Sequence, residues 1–395
     1  MKGQRRRFGK RLDAESVFLS DGKNATFFGY HDKTPFSANG KKILAMSVTA
    51  DDGRAESECS EIRLGYFEKN NKGEFTSSFI AVATTNTWCW QQGCMLQWHP
   101  KKPDNWVVFN CLVNGDYGAQ VLDIDTGEAI KTYKDPIYAI SGDGKWASTL
   151  NFSRLGRLRP GYGYSLLEDH TRSIKAPSDD GVFIFDLETG SKRLLVSLAE
   201  LAADLDTGEA EHYINHATFS PDGSNLLFFH LWSEVGRPAR GLRTCVVNMQ
   251  TKKWRVLEQN RVVSHYCWRD NSRLFATTKE RNGGWHYSLY DALTGAREDL
   301  DIPLQEDFHP MFHPQNDRIL VIDTYPDKRR DQHLCLIDID KGIVNEVAVL
   351  RSPYRYQGQV RCDLHSRWDR WGQYIVVDTT VSGRRKLGCF KVSLC

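Results

Sequence analysis

Histidines recur at one position of a repeated pattern in this chain of 395 residues. His216 stands just before an apolar strand pattern, and His265, His309 and His365 occupy the corresponding place in later repeats. Imidazole exchanges protons near neutral pH and is a common metal ligand. If the repeats are equivalent blades of one ring, these positions meet at one face near the axis. The sequence therefore predicts a histidine-rich site there.

The metal-ligand candidates are three histidines and one cysteine from consecutive repeats. They are His265 in SHYCW, His309 in FHPMF, and Cys362 and His365 in RCDLH. Mixed imidazole and thiolate donors suit zinc. We therefore expect one divalent metal, with zinc favoured over manganese. The alternative is that these histidines cap strands through backbone hydrogen bonds.

The acid–base candidates belong to the first and fourth repeats. His216 and His230 lie in HYINHATFSPDGSNLLFFHLW, residues 212–232, which is typical of a hairpin with its turn at Pro-Asp-Gly. A hairpin brings its ends together, so the two imidazoles can lie close in space. His31, with Tyr30 beside it, repeats the position in the first unit. For His230 and His31 the alternative is a purely structural role.

Cationic, amide and aromatic side chains near these strands are the candidates for binding an anionic ligand. The planar guanidinium of arginine matches a carboxylate, and tryptophan can stack on a sugar face. The alternatives are surface salt bridges for the arginines and packing between blades for the tryptophans. The candidates are Arg154, Arg157, Arg159, Arg237, Arg240, Arg243, Trp90, Gln91, Gln92 and Trp232.

The elements that position these residues are repeats of one hairpin. Seven segments share an aromatic or apolar residue, a polar turn and an apolar strand: 35–48, 97–112, 139–152, 218–231, 267–278, 311–325 and 367–380. Each is followed by a further strand, usually with an Asp-x-x-Thr-Gly type of turn. Hairpins at a spacing of roughly 40–60 residues are the signature of a β-propeller. We predict an all-β fold, a seven-bladed propeller.

The two ends of the chain are expected to close the ring together. The last repeat stops after its third strand, and Ser16–Leu19 is the candidate for the missing outer strand, which would leave no long open edge. We predict a basic, disordered tail over residues 1–12 and one propeller domain over 13–395. Insertions fall near 154–180, read as an ordered loop, and near 197–212, where a short helix is expected over 197–206.

Composition excludes several classes of function. The formal net charge is +2, and no basic stripe follows the tail, so we expect no nucleic-acid partner. No apolar run approaches the roughly 20 residues of a membrane span. The basic start lacks the apolar region of a secretory signal, which favours a cytoplasmic location. The sequence does not indicate the oligomeric state.

Several motifs resemble a large family of bacterial seven-bladed propellers that is similar in fold to oligogalacturonate lyases and propeller ulvan lyases. The motifs are FGYHDKTPFS (28–37), WQQGCMLQW (90–98), LNFSRLGRLRPGYGY (150–164), APSDDGVFIFDLETG (176–190), INHATFSPDG (214–223), VSHYCWRD (263–270), DTYPD (323–327) and RCDLHSRW (361–368). The resemblance covers nearly the whole chain.

The resemblance implies a polysaccharide lyase-like protein that cleaves a uronic-acid-containing oligosaccharide by β-elimination. Such chemistry needs a group that neutralises the carboxylate, a base for C5 and an acid for the leaving oxygen. The resemblance places the base near His216 and a metal near Cys362 and His365, where oligogalacturonate lyases carry Gln-x-x-His. The alternative function is a non-catalytic glycan- or protein-binding propeller associated with surface-polysaccharide metabolism.

Overall fold

Seven antiparallel sheets of four strands each form the blades of a ring. The computed structural model describes residues 8–49, 54, 61–239 and 241–394. Among the described residues, no helix has both the length and the apolar character needed to cross a bilayer. The predicted seven-bladed β-propeller is confirmed.

The strands follow chain order within the blades. Strand β1 (Ala14–Leu19) precedes blade 1, which consists of β2 (Ala25–Phe27), β3 (Lys42–Val48), β4 (Ile62–Lys69) and β5 (Phe75–Thr85). Blade 2 consists of β6 (Gln97–Trp98), β7 (Trp106–Val113), β8 (Asp116–Asp123) and β9 (Ala129–Tyr133). Blade 3 consists of β10 (Ala139–Ile140), β11 (Trp146–Thr149), β12 (Gly181–Asp186) and β13 (Lys192–Ser197), with helix α1 (Phe152–Leu158) inserted before β12.

The second half of the ring repeats this arrangement. Helix α2 (Leu198–Ala202) leads to blade 4, which consists of β14 (Glu211–Phe219), β15 (Asn225–Ser233), β16 (Gly241–Asn248) and β17 (Trp254–Glu258). Blade 5 consists of β18 (Arg261–Trp268), β19 (Arg273–Glu280), β20 (Trp285–Asp291) and β21 (Arg297–Leu300). Blade 6 consists of β22 (Pro310–His313), β23 (Asn316–Asp323), β24 (Asp331–Asp338) and β25 (Ile343–Arg351). A 3-10 turn (Gly358–Val360) precedes β26 (Arg367–Trp368), β27 (Tyr374–Thr379) and β28 (Lys386–Val392) of blade 7.

The inner hairpin turns of blades 3 and 4 share one hydrogen-bonding pattern. In the turn between β14 and β15, Asp222 Oδ1 accepts from Ser220 Oγ at 2.8 Å and from the Ser224 backbone N–H at 3.0 Å. Gly223 follows with φ of 74°, in the region that glycine adopts most readily. In blade 3, Ser141 Oγ donates to Asp143 Oδ1 in the same way, at 2.5 Å. Side chains of the sequence repeat therefore fix the turns that set the inner strands.

Strand β1 completes blade 7. It pairs antiparallel with β28 from Ala14 opposite Val392 to Leu19 opposite Leu387, and the sheet order is β1-β28-β27-β26. The predicted closure by the N-terminal strand is confirmed. Because the two ends of the chain share one sheet, their pairing closes the ring.

Residues 8–12 are ordered, although they fall within the predicted tail. The Gly9 backbone N–H donates to the carbonyl of Val344 at 2.6 Å, and Arg11 forms a parallel bridge with Glu346. Both partners lie on β25, the outer strand of blade 6, whose free edge offers unpaired backbone groups. Residues 1–7, the rest of the predicted tail, lie outside the described residues.

The two insertions contain short helices. In the first, read from the sequence as a loop, Asn151 caps α1 by accepting a hydrogen bond from the Arg154 backbone N–H at 2.9 Å, and apolar residues of the helix are buried. In the second, Ser197 and Glu200 form a capping box on α2. The helix expected over 197–206 is therefore present, but it ends at Ala202.

Candidate active site at the propeller axis

Five histidines from five blades surround the ring of Tyr30 at the propeller axis. All five, like Tyr30, are buried. Their ring centroids lie between 4.5 and 6.3 Å from that of Tyr30. In order of increasing distance the histidines are His31, His216, His365, His309 and His265. The equivalent repeat positions thus do meet at one face of the ring.

Each of these imidazoles is held through Nδ1. Backbone carbonyls and carboxylates only accept hydrogen bonds, so Nδ1 carries the proton in four of the five rings. In these rings Nε2 has a free lone pair and is the atom that can bind a ligand. The Nδ1 partners are Asp307 at 3.0 Å for His265, Asp323 at 2.7 Å for His309, the carbonyl of Pro310 at 3.2 Å for His31, the carbonyl of Gly29 at 2.6 Å for His365, and Tyr138 Oη at 3.2 Å for His216.

Two of the histidines have a left-handed backbone. His216 has φ of 56° and His365 has φ of 47°. For non-glycine residues this conformation is uncommon and strained, and such strain concentrates at functional sites. In β14 the irregular pairing between Asn215 and Thr218 accompanies the turn of His216 out of the strand register. The His365 backbone N–H donates to Asp323 Oδ2 at 2.5 Å. The strained backbone costs stability, and it directs both side chains towards the axis.

A compact set of metal-ligand atoms lies within this cluster. The donor atoms of His309, Asp363 and His365 are all within 4.8 Å of one another, and all three residues are buried. His365 Nε2 is buried without a hydrogen-bond partner. Buried polar atoms normally have a partner, so this nitrogen is a candidate metal ligand. The carboxylate of Asp323 behind His309 matches the outer shell of metal-bound histidines. The residues present therefore fit a divalent metal.

The ligand set differs from the one predicted from the sequence. Asp363, rather than its neighbour Cys362, joins His309 and His365, because successive residues of an extended segment point to opposite sides. Cys362 is buried, and the carbonyl of this residue accepts from Gln332 Nε2 at 3.2 Å. The expectation of zinc rested on a thiolate ligand. Nitrogen and carboxylate donors suit manganese as well, so the site does not favour zinc over manganese.

His265 lies beside this set with a carboxylate behind it. Its ring centroid is 4.0 Å from that of His309, and Asp307 holds its Nδ1. Asp307 also accepts from Ser264 Oγ at 2.5 Å and from Thr277 Oγ1 at 3.0 Å, so the orientation of the carboxylate is fixed. Burial lowers the pKa of His265, although Asp307 opposes the effect. His265 is therefore neutral at pH 7 and able to accept a proton.

Two guanidinium groups contact Tyr162, which lies beside the cluster. Arg159 Cζ is 3.9 Å from the centroid of the Tyr162 ring, and Arg361 Nη2 donates to Tyr162 Oη at 2.5 Å. Arg361 Nε also donates to Asp363 Oδ2 at 2.6 Å, next to the ligand set. Arg159 was predicted from the sequence, whereas Arg361 and Tyr162 were missed. Their positions in the quoted motifs RCDLHSRW and LNFSRLGRLRPGYGY were the available signal.

The predicted sugar ligands Arg154 and Arg157 lie instead in a buried ionic network. Arg157 Nη2 is 2.7 Å from Asp169 Oδ2 and 2.6 Å from Glu211 Oε2. Arg154 lies 3.7 Å from Asp169 and donates to the carbonyls of the insertion at Thr171, Ile174 and Lys175. Both side chains therefore tie the insertion to β14. Arg159 directly follows α1, which ends at Leu158. Because the network holds α1 in place, it also fixes the position of Arg159.

Replacement of Asp169 by asparagine should destabilise the protein. The change removes one of the negative charges that pair with Arg154 and Arg157. Breaking a buried ion pair costs about 3 kcal/mol. We expect the free energy of unfolding in guanidinium chloride to fall by about that amount. The control is Asp317→Asn, which removes an exposed ion pair with Arg269 and should cost less than about 1 kcal/mol. Equal effects of the two changes would contradict this structural role.

His230 lies outside the axial cluster, in a second histidine pair on blade 4. Its Nε2 is 2.8 Å from Nδ1 of His212, and the two rings stack at 5.0 Å. Trp232 stacks on His212 at 5.9 Å, and Arg243 pairs with Asp204 at 2.7 Å. His230 pairs with Ile214 in the hairpin, outside the irregular pairing between Asn215 and Thr218. That irregularity directs His216 to the axis and leaves the position of His230 unchanged. The expected pairing of His216 with His230 is not formed.

Two further predicted ligands fall on the loop that follows β15. Arg237 is exposed and forms an ion pair with Glu234 at 3.2 Å, three residues before it in sequence. Arg240 lies outside the described residues. Their predicted role in substrate binding stays a prediction.

The pair of His212 and His230 should make stability depend on pH. Burial, together with the nearby charges of Arg154 and Arg243, lowers the pKa of His212 to about 4. The ordinary value is about 6.5, so protonation favours the unfolded chain. The stability is complete above pH 6.5 and decreases as the pH falls towards 4. Between pH 7 and pH 5 we expect a loss of about 2 kcal/mol from this group in chemical unfolding. His212→Asn should reduce that loss, whereas replacement of the surface residue His286 should leave it unchanged.

The three predicted residues of the second repeat support the site from outside. Trp90 is buried, with its ring 4.9 Å from that of Trp88 and with Arg385 Cζ 4.2 Å away, which is packing between blades. Gln91 donates to the carbonyl of Arg361 at 3.1 Å. Gln92 donates to Tyr138 Oη at 2.8 Å, and that phenol in turn holds His216. Gln91 and Gln92 therefore position groups of the site.

Fold and site together define a seven-bladed propeller with a buried imidazole–carboxylate cluster at its axis. The chain is similar in structure to an oligogalacturonate lyase in complex with manganese, at 13% identity, with 98% of each chain covered and a TM-score of 0.65. An oligogalacturonate lyase from Vibrio parahaemolyticus is similar at 13% identity, with 97% of each chain covered and a TM-score of 0.64. The tricorn protease is similar at 11% identity, covering 92% of this chain and 33% of its own, with a TM-score of 0.52.

These similarities establish the fold. No protein-family model and no curated protein sequence matches the chain. Because the identities are low and the neighbours include a protease, the chemistry of this chain has to be argued from its own residues.

Proposed function

We propose that this protein cleaves a uronic-acid-containing oligosaccharide by metal-dependent β-elimination at the propeller axis. The observation that carries the proposal is the convergence of a buried set of metal donors, His309, Asp363 and His365, with two guanidinium groups. A divalent cation would account for the metal donors, and an anionic substrate would account for the guanidinium groups beside them. The similarity in fold to oligogalacturonate lyases supports the same reading.

The carboxylate of the sugar is assigned to Arg159 and Arg361. Their planar donors match a carboxylate, and a buried setting strengthens the charge-assisted hydrogen bonds. A divalent metal held by His309, Asp363 and His365 would supply Lewis-acid neutralisation of the same carboxylate and so acidify the proton on C5. Manganese is in the structure of a similar lyase, and zinc remains equally compatible with this chain.

The base for C5 is assigned to His265, with His216 as the competing candidate. Asp307 stabilises the imidazolium that forms when His265 takes a proton. His216 is hydrogen-bonded instead to a neutral phenol, and burial followed by the neighbouring Arg159 lowers the pKa of its imidazole. An imidazole backed by a carboxylate is the stronger base, so the geometry favours His265.

The proton for the leaving oxygen is assigned to Tyr30. Its ring is at the centre of the five histidines, within 4.5 Å of His31 and 4.7 Å of His216. Burial raises the pKa of Tyr30 well above that of an ordinary tyrosine, so the phenol keeps its proton at neutral pH. A protonated phenol is a suitable general acid, and the proton that His265 takes from C5 balances the one that Tyr30 gives to the leaving oxygen.

The proposal is tested by incubating the protein, loaded with Mn²⁺ or Zn²⁺, with a panel of uronic-acid glycans. β-Elimination leaves a C4–C5 double bond that is conjugated with the carboxylate and absorbs ultraviolet light. We expect absorbance to rise with at least one glycan and to stay flat after treatment with a chelator. Binding of the same glycan without any rise would instead favour the non-catalytic glycan-binding propeller. The prediction of a cytoplasmic location stays a prediction.

A further inference from the structure

A basic surface extends from the axial site towards the outer edge of blade 6. Two loops form it: residues 324–330, between β23 and β24, and residues 352–357, at the start of the connection from β25 to β26. That connection leaves the outermost strand of blade 6 and ends at the innermost strand of blade 7, so it spans the radius of the ring. We refer to these two loops as the blade 6 rim. Further along the same connection are Arg361, Asp363 and His365.

Arg330 joins the two loops of the blade 6 rim. Its guanidinium donates to the carbonyl of Ser352 at 2.8 Å and to the carbonyl of Tyr356 at 3.1 Å. Its Cζ also lies 5.2 Å from the ring centroid of Tyr354. These acceptors are neutral carbonyls, so the positive charge of Arg330 is not cancelled by them. The surface is therefore both held in shape and left cationic.

The exposed side chains of the blade 6 rim combine cations with one aromatic ring. Tyr354 is 64% exposed, the highest value among the exposed large apolar side chains of the described residues. Lys328 and Arg329 are exposed beside it, and the Tyr354 hydroxyl donates to the carbonyl of Lys328 at 3.4 Å. Among the described residues, no carboxylate forms an ion pair with Lys328, Arg329 or Arg330.

We propose that the blade 6 rim binds a second uronate residue of the same oligosaccharide, outside the axial site. Lys328 and Arg329 would take its carboxylate, and the ring of Tyr354 would lie against the sugar face. Charge complementarity selects an acidic chain, and the continuous connection to Arg361 places the rim next to the axial site. This inference rests on the proposed function, and it names the substrate class as an acidic oligosaccharide longer than the axial site alone can hold.

The test measures binding of galacturonate oligomers of two lengths by isothermal titration calorimetry. All variants carry Asp307→Asn, which slows cleavage during the titration, and all are loaded with Mn²⁺. The rim variants are Lys328→Ala with Arg329→Ala, and Tyr354→Ala. The matched control is Arg318→Ala with Lys341→Ala, because Lys341 is in the turn at the opposite end of β24. The ligands are a galacturonate disaccharide and a hexasaccharide.

We expect both rim variants to bind the hexasaccharide about fivefold more weakly, or worse, and to bind the disaccharide as before. The control variant should bind both ligands as the parent does. Unchanged hexasaccharide binding in the rim variants would overturn the subsite and leave the proposed function standing. An equal loss in the control variant would show general charge attraction and would also overturn the subsite. If neither ligand binds the parent protein, the subsite for galacturonate oligomers is overturned, and the proposed function is decided separately by the panel of uronic-acid glycans.

Discussion

Replacement of His365 by asparagine is expected to weaken Mn²⁺ binding by about 100-fold or more. The change removes the Nε2 atom that is buried without a hydrogen-bond partner and that lies within the donor set with His309 and Asp363. Asparagine tolerates the left-handed backbone at φ of 47° better than most residues, so the fold should survive. Calorimetric titration with Mn²⁺ measures the affinity, and circular dichroism checks the fold.

The matched control for this variant is His286→Asn on the surface of blade 5. It removes an imidazole that pairs with Glu280 far from the donor set, and Mn²⁺ affinity should not change. Unaltered affinity in a folded His365→Asn protein would remove His365 from the ligand set. The proposed mechanism would then lose the cation that neutralises the sugar carboxylate.

Replacement of Asp307 by asparagine is expected to lower kcat on the order of 10²–10⁴-fold, once a cleavable glycan is in hand. Asparagine keeps the shape of the side chain: its amide oxygen can accept from one of the hydroxyls of Ser264 and Thr277, and its amide N–H can donate to the other. It lacks the charge that stabilises the His265 imidazolium. Steady-state rates from the ultraviolet absorbance of the unsaturated product measure the effect, and the Kd for Mn²⁺ should stay within about threefold.

The same assay separates the two candidate bases. His265→Ala should abolish turnover if His265 takes the proton, whereas His216→Asn should retain measurable turnover because His216 then only lines the site. The reverse order of effects would assign the base to His216, as the sequence alone predicts, and would contradict the assignment from Asp307. Equal, mild effects of both changes would argue against either imidazole as the base.

The blades were predictable because the signal that identifies them is local and repeated. The Ser-x-Asp turn of residues 220–222 hydrogen-bonds within itself, and the same residue pattern recurs at 141–143. Ring closure followed from counting strands, since blade 7 lacked one and Ser16–Leu19 was available. Helix α1 was missed because Gly156 and Pro160 interrupt its pattern, while its stability comes from tertiary burial and the Asn151 cap.

The histidines of the site were predictable and their partners were not. Equivalent repeat positions placed His216, His265, His309 and His365 at one face, and that needed only the period of the repeat. The choice of Asp363 over Cys362 depends on which way each side chain turns from one extended segment. The pairing of Asp307 with His265 joins residues 42 apart in sequence, and no local pattern marks such a contact.

The roles of the arginines were also not predictable from the sequence. Six were weighed for their fork-shaped donors, and of the five that the structure describes only Arg159 lies beside the cluster. Arg154, within α1 and five residues before Arg159, instead pairs with the buried carboxylate of Asp169. A charged side chain reads alike in the sequence whether it faces a substrate or a buried carboxylate, so only the packed structure separates the two roles.

The most direct measurement is mass spectrometry of the products formed from a galacturonate oligomer in water enriched in the heavy oxygen isotope. β-Elimination breaks the C4–O bond without consuming water. The account therefore predicts an unsaturated fragment, lighter than a hydrolysis fragment by the mass of one water, and no uptake of solvent oxygen. Fragments that carry solvent oxygen, or no fragment from any glycan that binds at the axis in the presence of Mn²⁺ or Zn²⁺, would contradict it.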